Sequence, residues 1–175
     1  ITTAYRVDTM ILLPIINFGS WVATVVAQNI GAKNYERANE TLKIGVTIMA
    51  AISICLTVLV LFTGEYLLTM FGLTRESVQI GNSFFRAIAS CYIIYGLSMT
   101  LRGYLEGTGD MIFSGIAGFV SLVVRIVASY MFAGRFGNMV VAYAEAFSWV
   151  VLLSLYIIRF LKIRRITATN ERNCA

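Results

Sequence analysis

Apolar residues run through this chain in long blocks separated by short polar intervals. The clearest blocks are Ile44–Phe62, Ala87–Leu101, Met111–Ala133 and Met139–Phe160, with a more polar stretch from about Tyr5 to Ile30. A bilayer's hydrocarbon core is about 30 Å thick and an α-helix rises about 1.5 Å per residue, so about 20 apolar residues span it. Taken to their polar boundaries, the blocks predict helices over about 4–30, 42–71, 83–105, 111–133 and 139–161. Helices that are apolar all round need lipid or a large protein around them, and 175 residues cannot surround five. The pattern predicts an all-α polytopic membrane protein.

Composition agrees. The chain is 58% hydrophobic and 13% charged, against about 25% charged residues in soluble domains. Its net charge is +5, but the basic residues sit at predicted helix ends rather than along one aromatic-lined groove, which excludes nucleic acid as a partner. With the first helix starting outside, Lys33, Arg37, Lys43, Arg102, Arg159, Lys162, Arg164, Arg165 and Arg172 fall inside. Only Arg6, Arg75, Arg86 and Arg135 fall outside, so the positive-inside rule predicts an external N-terminus and a cytoplasmic tail over 166–175. An external start at Ile1, without methionine or leader, and an odd helix count read as a fragment of a longer polypeptide.

The polar residues inside the blocks carry the candidate chemistry. In the first helix, Asp8, Pro14, Asn17, Gly19, Ser20, Thr24 and Gln28 interrupt an apolar run. Pro14 lacks an amide donor and crowds the carbonyl four residues earlier, which predicts a kink near 10–14. Freed carbonyls in lipid need protein or water partners, so this helix is expected to face the bundle or a watery cavity. Packing through small residues is the competing reading. In the 83–105 helix, Tyr92, Tyr95 and Met99 share a face at helical spacing. They suit either plain helix packing or stacking on an aromatic or cationic ligand.

Gly107 and Gly109 are expected to permit a tight turn before the 111–133 helix, with Asp110 capping that helix. Gly115 and Gly118 are expected to allow close helix approach. The 42–71 helix reads as nearly featureless and lipid-facing, with its outer end marked at Gly64-Glu65, an interfacial continuation over Tyr66–Phe71 and an outer loop over 72–81.

Arg125 and Glu145 lie deep in the last two spans, equidistant from the turn between them. In an antiparallel hairpin such residues share a depth and can meet. Charges there cost a few kcal/mol each on insertion scales, which a partner reduces. The pair fits a structural pin or a titratable, cation-coordinating carboxylate that changes partner. Histidine is absent, so imidazole metal ligands and histidine bases are excluded, and no nucleophile–base set assembles for an enzyme. No metal site is expected.

Several ordered motifs resemble the second half of a multidrug and toxic compound extrusion (MATE) transporter. Ala4-Tyr5-Arg6-Val7-Asp8 with Pro14 resembles the opening of the family's eighth helix. Val26-Ala27-Gln28-Asn29-Ile30-Gly31-Ala32, followed by a basic connector with Glu36-Arg37, resembles its Gln-X-X-Gly-Ala motif. Leu101-Arg102-Gly103-Tyr104-Leu105-Glu106-Gly107-Thr108-Gly109-Asp110 resembles the family's Leu-Arg-Gly…Gly-X-Gly-Asp turn. Val124-Arg125 and Ala144-Glu145 match positions seen in some bacterial members.

The resemblance covers essentially the whole chain. It implies a C-terminal transmembrane lobe over 1–165: most of one six-helix lobe of a twelve-helix transporter, helices eight to twelve, in a bacterial inner membrane. It implies efflux of amphipathic or cationic drugs in exchange for Na+ or H+ by alternating access, with no cofactor beyond the coupling ion. The missing N-terminal lobe of the same polypeptide and the lipid bilayer would be its partners. Asn17, Gln28, Tyr92, Tyr95 and Met99 would be substrate-cleft candidates. Members that coordinate a cation in this lobe carry an acid in the helix matching 83–105, which has none here, so coupling would fall to upstream acids or to Glu145. The alternatives are a lipid-linked oligosaccharide flippase of the same superfamily, for which Arg86 and Arg125 are the basic cavity candidates, and a non-transporting structural subunit.

Overall fold

The computed structural model describes the backbone of residues 2–72 and 74–173, and the side chains of these apart from 135, 136, 138 and 165–173. Cys174 and the side chains of Arg135, Arg165 and Arg172 lie outside the described residues. The helices are α1 (Thr2–Gly31), α2 (Tyr35–Met70), α3 (Arg75–Ala89), α4 (Tyr92–Gly107), α5 (Met111–Phe136) and α6 (Val140–Asn173). A short 3-10 turn, Gly137–Met139, joins the last two. No strand occurs among the described residues.

Four helices, α1, α2, α5 and α6, contain stretches long and apolar enough to cross a membrane. A fifth span is broken, because α3 and α4 meet at a bend of 52°. This corrects the continuous helix expected over 83–105 and the loop expected over 72–81. Helix α3 starts at Arg75 because its apolar residues, Val78, Gly81, Phe84, Phe85 and Ile88, fall on one buried face. Its exposed face carries Arg75, Glu76, Gln79, Ser83 and Arg86, so the segment looks loop-like on average while being amphipathic.

The break falls at Ser90-Cys91. Thr57 of α2 is placed against it, its single hydroxyl hydrogen shared between Ser53 O at 2.9 Å and Ala89 O at 2.8 Å. A carbonyl freed from the helical ladder thereby gains a partner inside the protein, as an apolar environment requires.

Helix α2 is longer and busier than expected. It starts at Tyr35, behind Asn34, whose side chain accepts from the Arg37 amide at 3.1 Å. It continues through Gly64-Glu65 to Met70, one residue short of the expected end. Gly64 is buried, and a Cβ there would lie 2.8 Å from the Phe85 ring. The apolar remainder of α2 faces outward, with Phe62 84% exposed. Such residues are where lipid solvates the bundle.

Helix α1 packs on α4 and α2, α4 on α6, and α5 on α6. Pro14 lies inside α1, which stays helical across it. The α1–α4 crossing rests on glycine. A Cβ on Gly19 would come 2.9 Å from Met99 O, and one on Gly107 would come 2.7 Å from Ala23 O. Gly103 likewise lies directly against Gly19 O. Small residues let the two backbones approach this closely. Gly107 therefore serves helix packing rather than the turn, while Gly109, at φ +93°, supplies the reversal. Gly115 and Gly118 are exposed and meet nothing within 4 Å, which corrects their expected role as packing residues.

Asp110 stands at the N-cap of α5 but its side chain makes no capping bond, contrary to expectation. Its carboxylate is taken by Arg159 of α6, through Nε at 2.6 Å and Nη2 at 3.2 Å. A two-pronged, charge-assisted pair outcompetes a cap. Arg159 also lies 5.1 Å from the Phe113 ring centre.

Candidate functional site

Two distinct polar regions emerge from these helices: a buried cluster between α1, α4, α5 and α6, and an exposed stripe along α1.

The buried cluster grows from the close side of α1. Ala4, Val7, Asp8, Leu12, Ile15, Gly19, Val22 and Val26 repeat at three- and four-residue spacing and face the bundle. Asp8 is the acid in that series and is 1% exposed. Its carboxylate accepts a hydrogen bond from the Tyr92 hydroxyl of α4. Tyr92 is itself fully buried beside Trp149.

Across the α5–α6 hairpin, Arg125 Nη1 lies 3.1 Å from Glu145 Oε1. The structure thus brings together the two charges placed at equal depth by the sequence. Arg125 also donates to the Tyr5 hydroxyl of α1 and to Ser148 Oγ of α6, each at 3.3 Å. Ser148 Oγ donates to Glu145 O at 2.7 Å, and Ser121 Oγ to Ser148 O at 3.1 Å. Glu145 Oε2 is buried with no hydrogen-bond partner among the described residues. Asp8 lies within electrostatic reach of both Arg125 and Glu145. In low dielectric such charges interact far more strongly than in water.

The remaining sequence candidates divide. Tyr92 is buried, Tyr95 is half-buried against Trp149 with ring centres 4.7 Å apart, and Met99 is buried at the α1–α4 crossing. Tyr92 and Met99 therefore sit inside helix interfaces rather than on an open face. Met99 also borders a hollow of about 70 Å³ with Ser20 and the Arg102–Glu106 ion pair. Asn17 and Gln28 are exposed on α1 and do not join the buried cluster. Arg86 is exposed on α3.

Asn17 and Gln28 belong instead to a stripe with Thr9, Ser20 and Thr24, all exposed. Thr9, Asn17, Ser20 and Thr24 each donate to the carbonyl four residues back, at 2.9 to 3.3 Å. Such self-bonding satisfies the donor but leaves the polar face without an interhelical partner. Among the described residues no group of three or more His, Cys, Asp or Glu is placed to hold a metal.

Sequence reading singles out Asp8 as a polar residue of the first helix but does not place it in the buried cluster. Its signal was the spacing that groups it with Ala4, Leu12 and Ile15 on the buried face, rather than with Asn17 and Thr24 on the open one.

Comparison with known proteins adds family and fold. The MatE family model matches residues 1–131. "Probable multidrug resistance protein YoeA" of Bacillus subtilis (strain 168) is 22% identical over 164 residues, covering 89% of this chain and 35% of that protein. "Probable multidrug resistance protein YpnP" of the same organism is 25% identical over 134 residues, covering 76% of this chain and 30% of that protein. A solved structure, described as the inward-facing conformation of a multidrug resistance MATE family transporter of the MOP superfamily, superposes with a TM-score of 0.81 at 22% identity. It covers 86% of this chain and 35% of the other. The chain thus spans about a third of the relatives that it matches.

Proposed function

This chain belongs to the MatE family, and on that premise we propose that it forms most of one lobe of a secondary active transporter exporting amphipathic or cationic drugs in exchange for Na+ or H+. A second lobe of the same polypeptide closes the cleft, and the two rock between inward- and outward-open states in a bacterial inner membrane. The N-terminus of this segment lies outside and its C-terminus in the cytoplasm, following the basic-residue count.

The observation that carries this reading is the stripe on α1. Five polar side chains along one side of α1, four of them bonded back to their own backbone, face out of the bundle. Lipid is a poor environment for that face, and a water-filled cleft against an opposing lobe is a good one. Asn17, Ser20, Thr24 and Gln28 line that cleft, with the Met99–Ser20 hollow opening onto it. The flippase alternative needs free cations for a pyrophosphate, whereas Arg125 is engaged by Glu145, Tyr5 and Ser148.

The test is energised efflux of a cationic dye from vesicles bearing the full-length polypeptide that contains this segment. Efflux that stops when the sodium or proton gradient is dissipated supports the proposal. Dye movement indifferent to both gradients refutes secondary transport.

A further inference from the structure

Away from the buried cluster and the α1 stripe, two hollows of about 400 and 320 Å³ lie between the start of α2 and the last described turns of α6. Both are lined by Asn39, Phe160 and Arg164, so they form one recess. Its volume is that of a site for a small molecule or a head group. Tyr104 of α4 and Ile30 of α1 line its inner part. The Tyr104 hydroxyl donates to Asn39 Oδ1 at 2.8 Å, which ties α4 to α2 across the recess. The Tyr104 ring stands edge-on to Phe160 with centres 5.5 Å apart, and Arg164 lies within electrostatic reach of Tyr104.

Four charged side chains line the recess, two of each sign: Arg164 and Lys43, Glu36 and Glu40. The ion pairs among the described residues are made by other side chains, so all four are unengaged there. Glu36, Glu40 and Lys43 recur at spacings of four and three and share a face of α2, as Phe160 and Arg164 do on α6. Arg164 also closes the apolar stretch Val140–Arg164. The recess therefore sits where hydrocarbon gives way to head groups. Deeper on the same two faces, Ile44 and Ile48 of α2 and Ile157 of α6 are exposed.

An occupant of this recess needs an anion for Arg164, a cation for Glu36 and Glu40, and hydrocarbon for the isoleucines below. A guanidinium takes a phosphate through two parallel hydrogen bonds. A carboxylate only accepts hydrogen bonds, so it favours an ammonium that carries hydrogens over a quaternary one. With the lining charges balanced, a head group neutral overall is better matched than a net anion. We infer that the recess binds a zwitterionic aminophospholipid, its phosphate on Arg164, its ammonium on Glu36 and Glu40, and its acyl chains along Ile48 and Ile157. A lipid held there joins α2 to α6 over the end of α4. The inference requires only that the chain lies in a membrane, whatever it transports.

Native mass spectrometry of the full-length polypeptide, released from bilayers of equal parts phosphatidylethanolamine, phosphatidylcholine and phosphatidylglycerol, tests this. The parent is expected to retain phosphatidylethanolamine ahead of the other two. Arg164→Gln is expected to lower that retention about tenfold, the scale of one lost hydrogen bond to a charged group. Joint replacement Glu36→Gln and Glu40→Gln is expected to erase the preference over phosphatidylcholine while a phospholipid stays bound. Arg75→Gln, an exposed change on α3, is expected to alter neither. All five positions are exposed, so the variants are expected to fold, which thermal unfolding checks. Retention indifferent to Arg164, or a preference for phosphatidylglycerol, would overturn the site. So would lipid that binds only after residues 166–175 are removed, since the tail would then be the occupant. Dye efflux plays no part in this readout, so a failed transport assay leaves the lipid site standing and a failed lipid assay leaves the transport reading standing.

Discussion

Arg125 on α5 and Glu145 on α6 meet at 3.1 Å, and Asp8 of α1 stands within electrostatic reach of both. The arrangement is lopsided: two acids are buried near one guanidinium, which pairs directly with Glu145 alone, while Asp8 holds the Tyr92 hydroxyl. Stability should follow that asymmetry. Glu145→Gln leaves Arg125 its bonds to Tyr5 and Ser148 and the nearby Asp8 charge, and is expected to cost about 1–2 kcal/mol, the scale of one lost hydrogen bond to a charged group. Arg125→Met strands two acids and is expected to cost about 3–5 kcal/mol, the usual penalty for breaking a buried pair from one side. Denaturant titration of the full-length protein in mixed micelles measures both. Equal costs would contradict the shared-cation picture.

The α1 stripe predicts a pattern of water access. With the native cysteines replaced, single cysteines at Asn17, Ser20, Thr24 and Gln28 are expected to react with a membrane-impermeant thiol reagent in proteoliposomes. Cysteines at buried Val22 and Val26, and at outward-facing Phe62, are expected to stay unreacted. Uniform protection along the stripe would mean that it faces lipid or protein rather than water.

Glycine substitutions should sort by position. Gly103→Val drives a branched side chain into Gly19 O of α1 and is expected to destabilise the bundle by about 1–3 kcal/mol, as overpacking does. Gly115→Ala and Gly118→Ala, which meet open space, are expected to be neutral or to stabilise by about 0.4–1 kcal/mol through the unfolded chain. Thermal unfolding in detergent reads the difference directly.

Thr57→Val keeps the shape of the side chain and removes the hydroxyl that serves Ala89 O. The expected loss is about 1–3 kcal/mol, the cost of an orphaned buried acceptor. Faster amide hydrogen exchange confined to residues around the α3–α4 break would place the effect there. A variant as stable as the parent would show that the carbonyl has another partner.

Hydropathy made the membrane spans legible because lipid imposes its length on every helix that crosses it. The α5–α6 ion pair was legible for a related reason, since a short antiparallel turn converts equal sequence offsets into equal depth. The α3–α4 break was not. Ser90-Cys91 carries neither proline nor glycine, and the residue that accommodates the break, Thr57, lies 32 positions away from Ala89. Asp8 was visible as an acid in an apolar helix, but its burial depends on which face of α1 meets α4, and that is decided by Gly19, Gly103 and Gly107 acting together. Gly107 reads locally as a turn former, because one-dimensional context cannot distinguish a bend in the backbone from a neighbour pressed against it.

Where α1 crosses α4 at Gly19, Gly103 and Gly107, main chain lies directly on main chain, with Met99 and Val26 packed tightly beside it. Such a joint has no slack: it can part wholly or stay shut, but it cannot slide by degrees. During any rocking of the lobe the two helices must travel as one beam, and the give must come from looser seams such as the elbow between α3 and α4.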